Sequence, residues 1–78
     1  MKLSELKKGE CGEIISIDSD SILKSRFSSF GISRGSVVYV IEHTISKNTI
    51  EIKVHNTKIA LRLSEAQTIE IKRSECRI

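Results

Sequence analysis

The chain has 78 residues, 38% of them hydrophobic and 29% charged, which fits one folded domain of residues 1–78 and excludes a disordered chain. Its formal net charge is +3, but the thirteen basic residues are dispersed among ten acidic ones, so the charge alone indicates no partner. No apolar run approaches the roughly 20 residues that span a bilayer, and no signal peptide is recognisable, so we expect a cytoplasmic protein without direct membrane insertion.

The first predicted elements are a turn and a strand. Leu3 and Leu6 place two apolar side chains before a turn at Gly9. Residues 12–17 then alternate loosely, with Ile15 and Ile17 on one side, which indicates a first strand.

A short amphipathic helix is predicted over residues 21–30. It follows a cluster of N-cap residues at positions 18–21, and Leu23, Phe27 and Phe30 recur at i, i+4 and i+7 as an apolar stripe. Gly31 can adopt a positive φ after the last turn, and Ile32 follows it as the apolar residue of a Schellman-type end.

The next segments predict two successive hairpins with one apolar face. A turn at residues 47–48 gives the pairs Ile45 with Ile50, His43 with Ile52, and Ile41 with Val54. A turn at residues 56–57 gives the pairs Val54 with Ile59, Ile52 with Leu61, and Ile50 with Leu63. The outer face pairs Glu42 with Lys53, and Glu51 with Arg62. A slip by one residue would place isoleucines opposite charges, so the pattern predicts a meander with one buried face.

The remaining elements complete a small barrel. Residues 37–41 are apolar on both faces, as in a strand that bends between two halves of a barrel and is buried on each side in turn. Residues 64–67 suit a single helical turn, and residues 68–72 alternate as a last strand. The predicted fold is all-β, an SH3-like barrel of five strands with one short α-helix inserted after the first strand.

Three segments carry a resemblance to a known family: Leu3-x-x-Leu6-x-x-Gly9, residues 26–35, and residues 59–66 leading into Ile69-x-Ile71. They resemble the FeoA family, small cytosolic accessory proteins of the bacterial ferrous iron transport system. The structural signature comprises Leu6, Gly9, Phe27, Phe30, Gly31, Gly35, Ala60, Leu61 and Ala66. Members commonly have leucines at positions 27 and 30, and Pro-Gly where this chain has Arg34-Gly35.

The resemblance implies a non-enzymatic accessory or regulatory protein of ferrous iron transport. Its implied partner is the cytosolic, GTPase-bearing portion of a membrane ferrous iron transporter. An alternative is an SH3-like regulatory module related to the C-terminal domain of metal-dependent transcriptional repressors, although the chain has no winged-helix segment. A receptor for proline-rich peptides ranks last, because it needs an exposed aromatic-lined groove.

No catalytic, cofactor or metal site is predicted. His43 interrupts an apolar row as a core-edge histidine, and His55 is interpreted as a turn residue. The predicted register places these histidines on opposite faces, so they cannot converge on a nucleophile. Cys11 and Cys76 lack metal-ligand spacing and are interpreted as a structural thiol and a tail thiol. Whether any of these four residues ever binds a metal stays open.

A small basic patch is the predicted partner surface. It consists of Lys24, Arg26 and Arg34, at the helix and the turn that follows it. Nucleic acid is not an expected partner, because Phe27, Phe30 and Tyr39 are assigned to packing and leave no aromatic side chain for bases to stack on. Edge-capable strands leave weak or domain-swapped self-association open.

Overall fold

The protein's structure is a computed structural model that describes residues 1–44 and 46–76. After a 3₁₀ turn at Leu3–Glu5, the elements are β1 (Cys11–Ile17), α1 (Ser21–Ser29), β2 (Val37–Thr44), β3 (Thr49–Val54), β4 (Thr57–Arg62), α2 (Leu63–Ala66) and β5 (Ile69–Ser74). The strands form one antiparallel sheet in the order β4-β3-β2-β1-β5. Five strands with one short helix after the first are therefore confirmed. No helix in the described part of the chain has the length and apolar character that crossing a bilayer requires.

The core lies on one face of this coiled sheet and is closed by the helices and the 3₁₀ turn. Its buried members are Leu3, Leu6, Ile14, Phe27, Ile32, Val38, Val40, Ile50, Ile52, Val54, Ile59, Leu61, Ala66, Ile69 and Ile71. Ala66, a residue of the family signature, is fully buried in the single turn α2. The apolar residues of β3 and β4 form the predicted continuous buried face.

The β3–β4 register differs from the prediction by two residues. Ile52 lies opposite Ile59, and Ile50 lies opposite Leu61. Glu51 consequently faces Ala60, so its predicted pairing with Arg62 is wrong. A displacement by two keeps every side chain on its own face, so alternation alone cannot distinguish the two registers.

The turn between β3 and β4 sets this register. It consists of His55 and Asn56, whose φ angles are 50° and 67°. Two central residues with positive φ are what a two-residue type I′ turn requires, and asparagine tolerates that conformation better than most residues. The predicted turn, at positions 56–57, lies one residue too late, because none of residues 55–57 is the glycine that usually marks such turns.

The β2–β3 pairing is displaced as well, and a bulge interrupts it. His43 lies opposite Ile50 instead of Ile52, and Val40 lies opposite Ile52. The register shifts at Ile41, which has no opposite partner, so its predicted pairing with Val54 is wrong. The predicted pair of Glu42 with Lys53 is also wrong, since Glu42 faces Glu51. The predicted pairing of Ile45 lies outside the described residues.

Strand β2 is buried on one side only. Val38 and Val40 are completely buried, whereas Val37 is 44% exposed and Tyr39 is half-buried. The predicted burial of both faces is therefore wrong. Only the face of β2 that carries Val38 and Val40 is fully covered by the core.

The first strand contains a second bulge, which reverses the side predicted for Ile15. The β1–β5 register shifts between Ile14 and Ser16. As a result Ile14 is buried and Ile15 is 41% exposed. A bulge inserts one unpaired residue and so exchanges the two faces beyond it, which periodicity cannot reveal.

Helix α1 has the predicted N-cap at its start and the predicted glycine after its last turn. The side chain of Asp20 accepts a hydrogen bond of 2.8 Å from the backbone N–H of Leu23 as an N-cap. At the other end Gly31 has φ 84°, and the N–H of Ile32 donates to the carbonyl of Phe27 at 2.8 Å. This is the Schellman arrangement.

The same turn explains why Phe30 is not a core residue. Phe27 is buried and Leu23 packs against the core, but Phe30 is 40% exposed. The reversal at Gly31 carries Ile32 back into the core, so that Ile32 is buried there instead of Phe30. The prediction for Phe30 is therefore wrong.

Candidate functional site

The basic residues of α1 lie on different sides of the helix. Lys24 and Arg26 are two positions apart, which separates them by about 200° around the axis. The core-facing residue Phe27 lies between these two directions. Arg26 reaches toward α2, where its guanidinium lies 3.4 Å from a carboxylate oxygen of Glu65. Glu65 therefore partly balances the charge of Arg26. Lys24 is exposed to solvent.

Arg34 is presented at the tip of a turn. The N–H of Ser36 donates to the carbonyl of Ser33 at 3.0 Å, and Gly35 has φ 91°, which closes a turn with Arg34 at its second position. Proline is usually favoured at this position because its ring fixes φ. Arginine leaves the turn less rigid and adds an exposed positive charge. Neither Lys24 nor Arg34 forms an ion pair with any residue that the structure describes. The partner role of this patch stays a prediction.

A groove of about 460 Å³ opens between the α1–β2 loop and the β3–β4 turn. Its walls are formed by Cys11, Gly35, Ser36, Val37, Tyr39, Lys53, His55 and Asn56. This set contains a cation and an aromatic ring but no carboxylate. The prediction that every aromatic residue is taken up in packing is therefore wrong for Tyr39 as well as for Phe30. The groove depends on loops brought together by the sheet, so no local sequence signal could have found it.

His55 connects the β3–β4 turn to the end of α1. A Cβ atom built at Gly31 would lie 3.0 Å from the ring atom Cδ2 of His55 and 3.9 Å from Cγ1 of Val54. The absence of a side chain at Gly31 therefore gives the imidazole room against the helix end. His55 is a turn residue, as predicted, and in addition it forms part of the groove wall.

His43 has a structural partner on the other side of the sheet. Its Nε2 forms a hydrogen bond with the backbone carbonyl of Leu6, so Nε2 carries the proton in this arrangement. The side chain is half-buried. This bond ties β2 to the segment before β1. Within residues 1–44 and 46–76, no three histidine, cysteine or acidic side chains come together as metal ligands.

Cys11 and Cys76 are joined by a disulfide, which contradicts their interpretation as two separate thiols. Their Cα atoms lie 5.3 Å apart, and 65 positions of sequence separate them. The bridge forms because β1 and β5 are neighbours: Cys11 lies opposite Ser74, two residues before Cys76. Sequence spacing carries no information on a contact between the first and last strands, so the pairing could not be read from the chain.

The carboxylate of Glu70 lies beside the first residues of the chain. Hydrogen bonds from the N-terminal ammonium of Met1 and then from Lys2 lower the pKa of Glu70, while desolvation acts in the opposite direction. The Lys2 ammonium lies 3.2 Å from Oε1 of Glu70. These contacts hold the N-terminal segment along β5.

Residues 1–73 match the model of the FeoA domain. The chain belongs to the FeoA family. It is 39% identical over 75 residues to Fe(2+) transport protein A of Helicobacter pylori, which covers 95% of this chain and 99% of the relative. The predicted family resemblance is thereby confirmed.

The fold of this FeoA chain recurs in solved structures. The Stenotrophomonas maltophilia FeoA, complexed with zinc and described as a prokaryotic SH3 domain protein, superposes with a TM-score of 0.80 at 24% identity, covering 92% of this chain and 89% of that one. The predicted SH3-like fold is confirmed. A manganese-dependent transcriptional repressor gives a TM-score of 0.88 at 24% identity, covering 94% of this chain and 40% of the repressor. That likeness shows a shared fold.

Proposed function

We propose that the chain is a non-enzymatic accessory protein of ferrous iron transport that acts in the cytoplasm as one domain. Membership of the FeoA family over residues 1–73 carries this proposal, together with the Helicobacter pylori relative, which is named for Fe(2+) transport and matches along almost its whole length. The proposed partner is the cytosolic, GTPase-bearing portion of a membrane ferrous iron transporter.

The proposed docking surface keeps Lys24 and Arg34 from the predicted basic patch of Lys24, Arg26 and Arg34. Lys24 and Arg34 are exposed, whereas Arg26 lies about 200° around α1 from Lys24 and pairs with Glu65. Charges at the rim of an interface mainly set association rate and salt dependence, so this patch would steer the protein toward an acidic face of the transporter. Apolar contact would come from Phe30, which is exposed between α1 and Arg34.

Co-purification tests the partner. The full chain should associate with the transporter's cytosolic portion in the GTP-bound, GDP-bound or nucleotide-free state, and deletion of its gene should lower ferrous iron uptake. No association in any nucleotide state, with uptake unchanged by the deletion, would refute the proposed function.

Charge reversal tests the surface separately. The double substitution of Lys24→Glu and Arg34→Glu should weaken binding by about five- to thirtyfold and reduce its salt dependence, since each exposed charge contributes up to about 1 kcal/mol. The double substitution of Lys47→Glu and Lys72→Glu is the matched control, because it reverses two exposed cations that lie outside α1 and the turn after it. If the control weakens binding as much as the double substitution of Lys24 and Arg34, the patch is not the docking surface.

The alternative, a regulatory module acting near DNA, draws on the repressor likeness. The repressor aligns over only 40% of its own length, so the remainder of that chain has no counterpart in these residues. A shift of duplex DNA by the purified protein that weakens steeply as salt rises would favour this alternative. Binding to the transporter but not to DNA would leave the accessory role standing.

A further inference from the structure

We propose that the Cys11–Cys76 bridge is a reversible thiol–disulfide exchange site, at which a small thiol of the glutathione type attacks Cys76 and releases the C-terminal segment from β1. The inference goes beyond the proposed transport role and does not depend on it. It rests on three observations: the unequal exposure of the two cysteines, the position of Cys76 outside the family match, and the groove that Cys11 lines.

The two halves of the bridge differ in access. Cys11 is 2% exposed and lies within the sheet, with Tyr39 on one side and Ser74 on the other. Cys76 is an exposed residue. Thiol–disulfide exchange proceeds by attack of a thiolate on one sulfur, and access decides which sulfur is attacked. The incoming thiolate therefore reaches Cys76.

Reduction of the bridge takes two successive exchanges with the small thiol. The thiolate forms a bond to Sγ of Cys76, the disulfide bond breaks, and its electron pair stays on Sγ of Cys11, which takes up a proton. A second thiolate then attacks the sulfur of the first small thiol in the mixed disulfide, and its bond to Sγ of Cys76 breaks. The electron pair stays on Sγ of Cys76, which takes up a proton, and the two small thiols leave as their symmetrical disulfide. Two thiols are oxidised and one protein disulfide is reduced. Oxidised glutathione drives the reverse reaction.

The bridge can open without dismantling the core. Neither cysteine belongs to the cluster of packed apolar side chains that holds the sheet together. Pairing between β1 and β5 ends at Cys11 and Ser74, so Glu75 and Cys76 lie beyond the last paired residues. The match to the FeoA domain ends at residue 73. The fold is thus complete before Cys76, and the bridge is an addition to it.

Opening the bridge would alter two neighbouring depressions. Cys11 lines the groove of about 460 Å³, and a smaller depression is bounded by Glu13, Val37, Ser74 and Glu75. Val37 lines both. Release of the segment after Ser74 removes a wall of the smaller depression and frees the Cys11 thiol at the edge of the larger one. The redox state would then set the shape of this surface.

The first experiment maps the site of attack. The purified, oxidised full chain is exposed briefly to reduced glutathione, alkylated with iodoacetamide, and digested for mass spectrometry. Glutathione should be found on Cys76 in at least about tenfold excess over Cys11, given the difference in access. A predominant adduct on Cys11, or a bridge that survives prolonged millimolar glutathione at neutral pH, would overturn the proposal.

The second experiment follows the release by amide NMR spectra of the oxidised and reduced protein. Reduction should shift resonances of residues 9–13 and 72–76 and leave those of β3 and β4 nearly unchanged, and oxidised glutathione should restore the first spectrum. Cys76→Ser, at an exposed position, should give the reduced spectrum with or without reductant, and its melting temperature should be lower than that of the oxidised chain by about 10 °C. Changes spread throughout β3 and β4, or a reduced protein that does not reoxidise, would overturn the proposal. The disulfide would then be a stabilising cross-link that does not open reversibly.

Discussion

The β3–β4 hairpin and the seam between the chain's two ends are held by different kinds of contact. In the hairpin, pairs such as Ile52 with Ile59 join residues that are close in sequence and share a buried face. In the seam, β1 pairs with β5, and Cys11 is bridged to Cys76 across 65 positions. Sequence periodicity therefore predicts the hairpin's buried face, whereas the seam exists only once the sheet has formed.

The largest expected effect is the loss of stability when a side chain on the hairpin's buried face is shortened. Ile52 is completely buried between β2 and β4. Ile52→Ala should lower the free energy of unfolding by about 2–5 kcal/mol, through lost burial and the cavity that remains. Urea denaturation measures this loss. Lys58→Ala, at an exposed position of the neighbouring strand, is the control and should change stability by no more than about 0.5 kcal/mol. A loss below about 1 kcal/mol for Ile52→Ala would contradict the comparison.

The sequence predicts the elements of this fold well and their register poorly. Five strands, the helix after β1, an N-cap within residues 18–21 and the helix end at Gly31 all follow from local chemistry. The register errors arise because a displacement by two residues preserves the buried face, and because bulges at Ile15 and Ile41 exchange faces without a sequence signal.

The candidate site was predicted less completely than the fold. Exposed cations such as Lys24 and Arg34 can be found from sequence, but their relative placement cannot. The groove and the disulfide depend on contacts between segments far apart in the chain. The spacing of residues in a single sequence does not reveal such contacts. Phe30 was misassigned for a related reason: its helical periodicity is correct, but the turn at Gly31 brings Ile32 to the core instead.

A contact that joins the hairpin turn to the end of α1 gives the next prediction. Gly31 and Gly9 both have positive φ, at 84° and 87°, so alanine at either position carries a backbone cost of about 1–2 kcal/mol. At Gly31 the added Cβ also meets the ring of His55 at 3.0 Å, whereas at Gly9 it meets nothing within 4 Å. Gly31→Ala should therefore destabilise the fold by about 1 kcal/mol more than Gly9→Ala.

His55→Ala supplies the control for this pair. Once the ring is removed, the alanine at position 31 has room, and the difference between the two glycine substitutions should largely disappear. Thermal or urea unfolding of the two single and two double variants measures the coupling. An unchanged difference in the His55→Ala background would show that the ring does not define the packing at the helix end.

The smallest expected effect lies in the seam and depends on pH. Hydrogen bonds from the Met1 ammonium and then from Lys2 lower the pKa of Glu70 below its ordinary value of 4.5. A carboxyl whose pKa is lower in the folded state contributes stability above the unfolded-state pKa, and this contribution is lost as pH falls through the folded-state value. Glu70→Gln should therefore be less stable than the parent chain at neutral pH. The difference should begin to shrink as pH falls to about 4.5 and should vanish once pH lies below the lowered folded-state pKa. Added salt should also shrink the difference, because the ion pair is exposed. Urea unfolding across this pH range measures both, and a difference that persists unchanged in acid would show that the N-terminal segment is held along β5 by its backbone hydrogen bonds and not by charge.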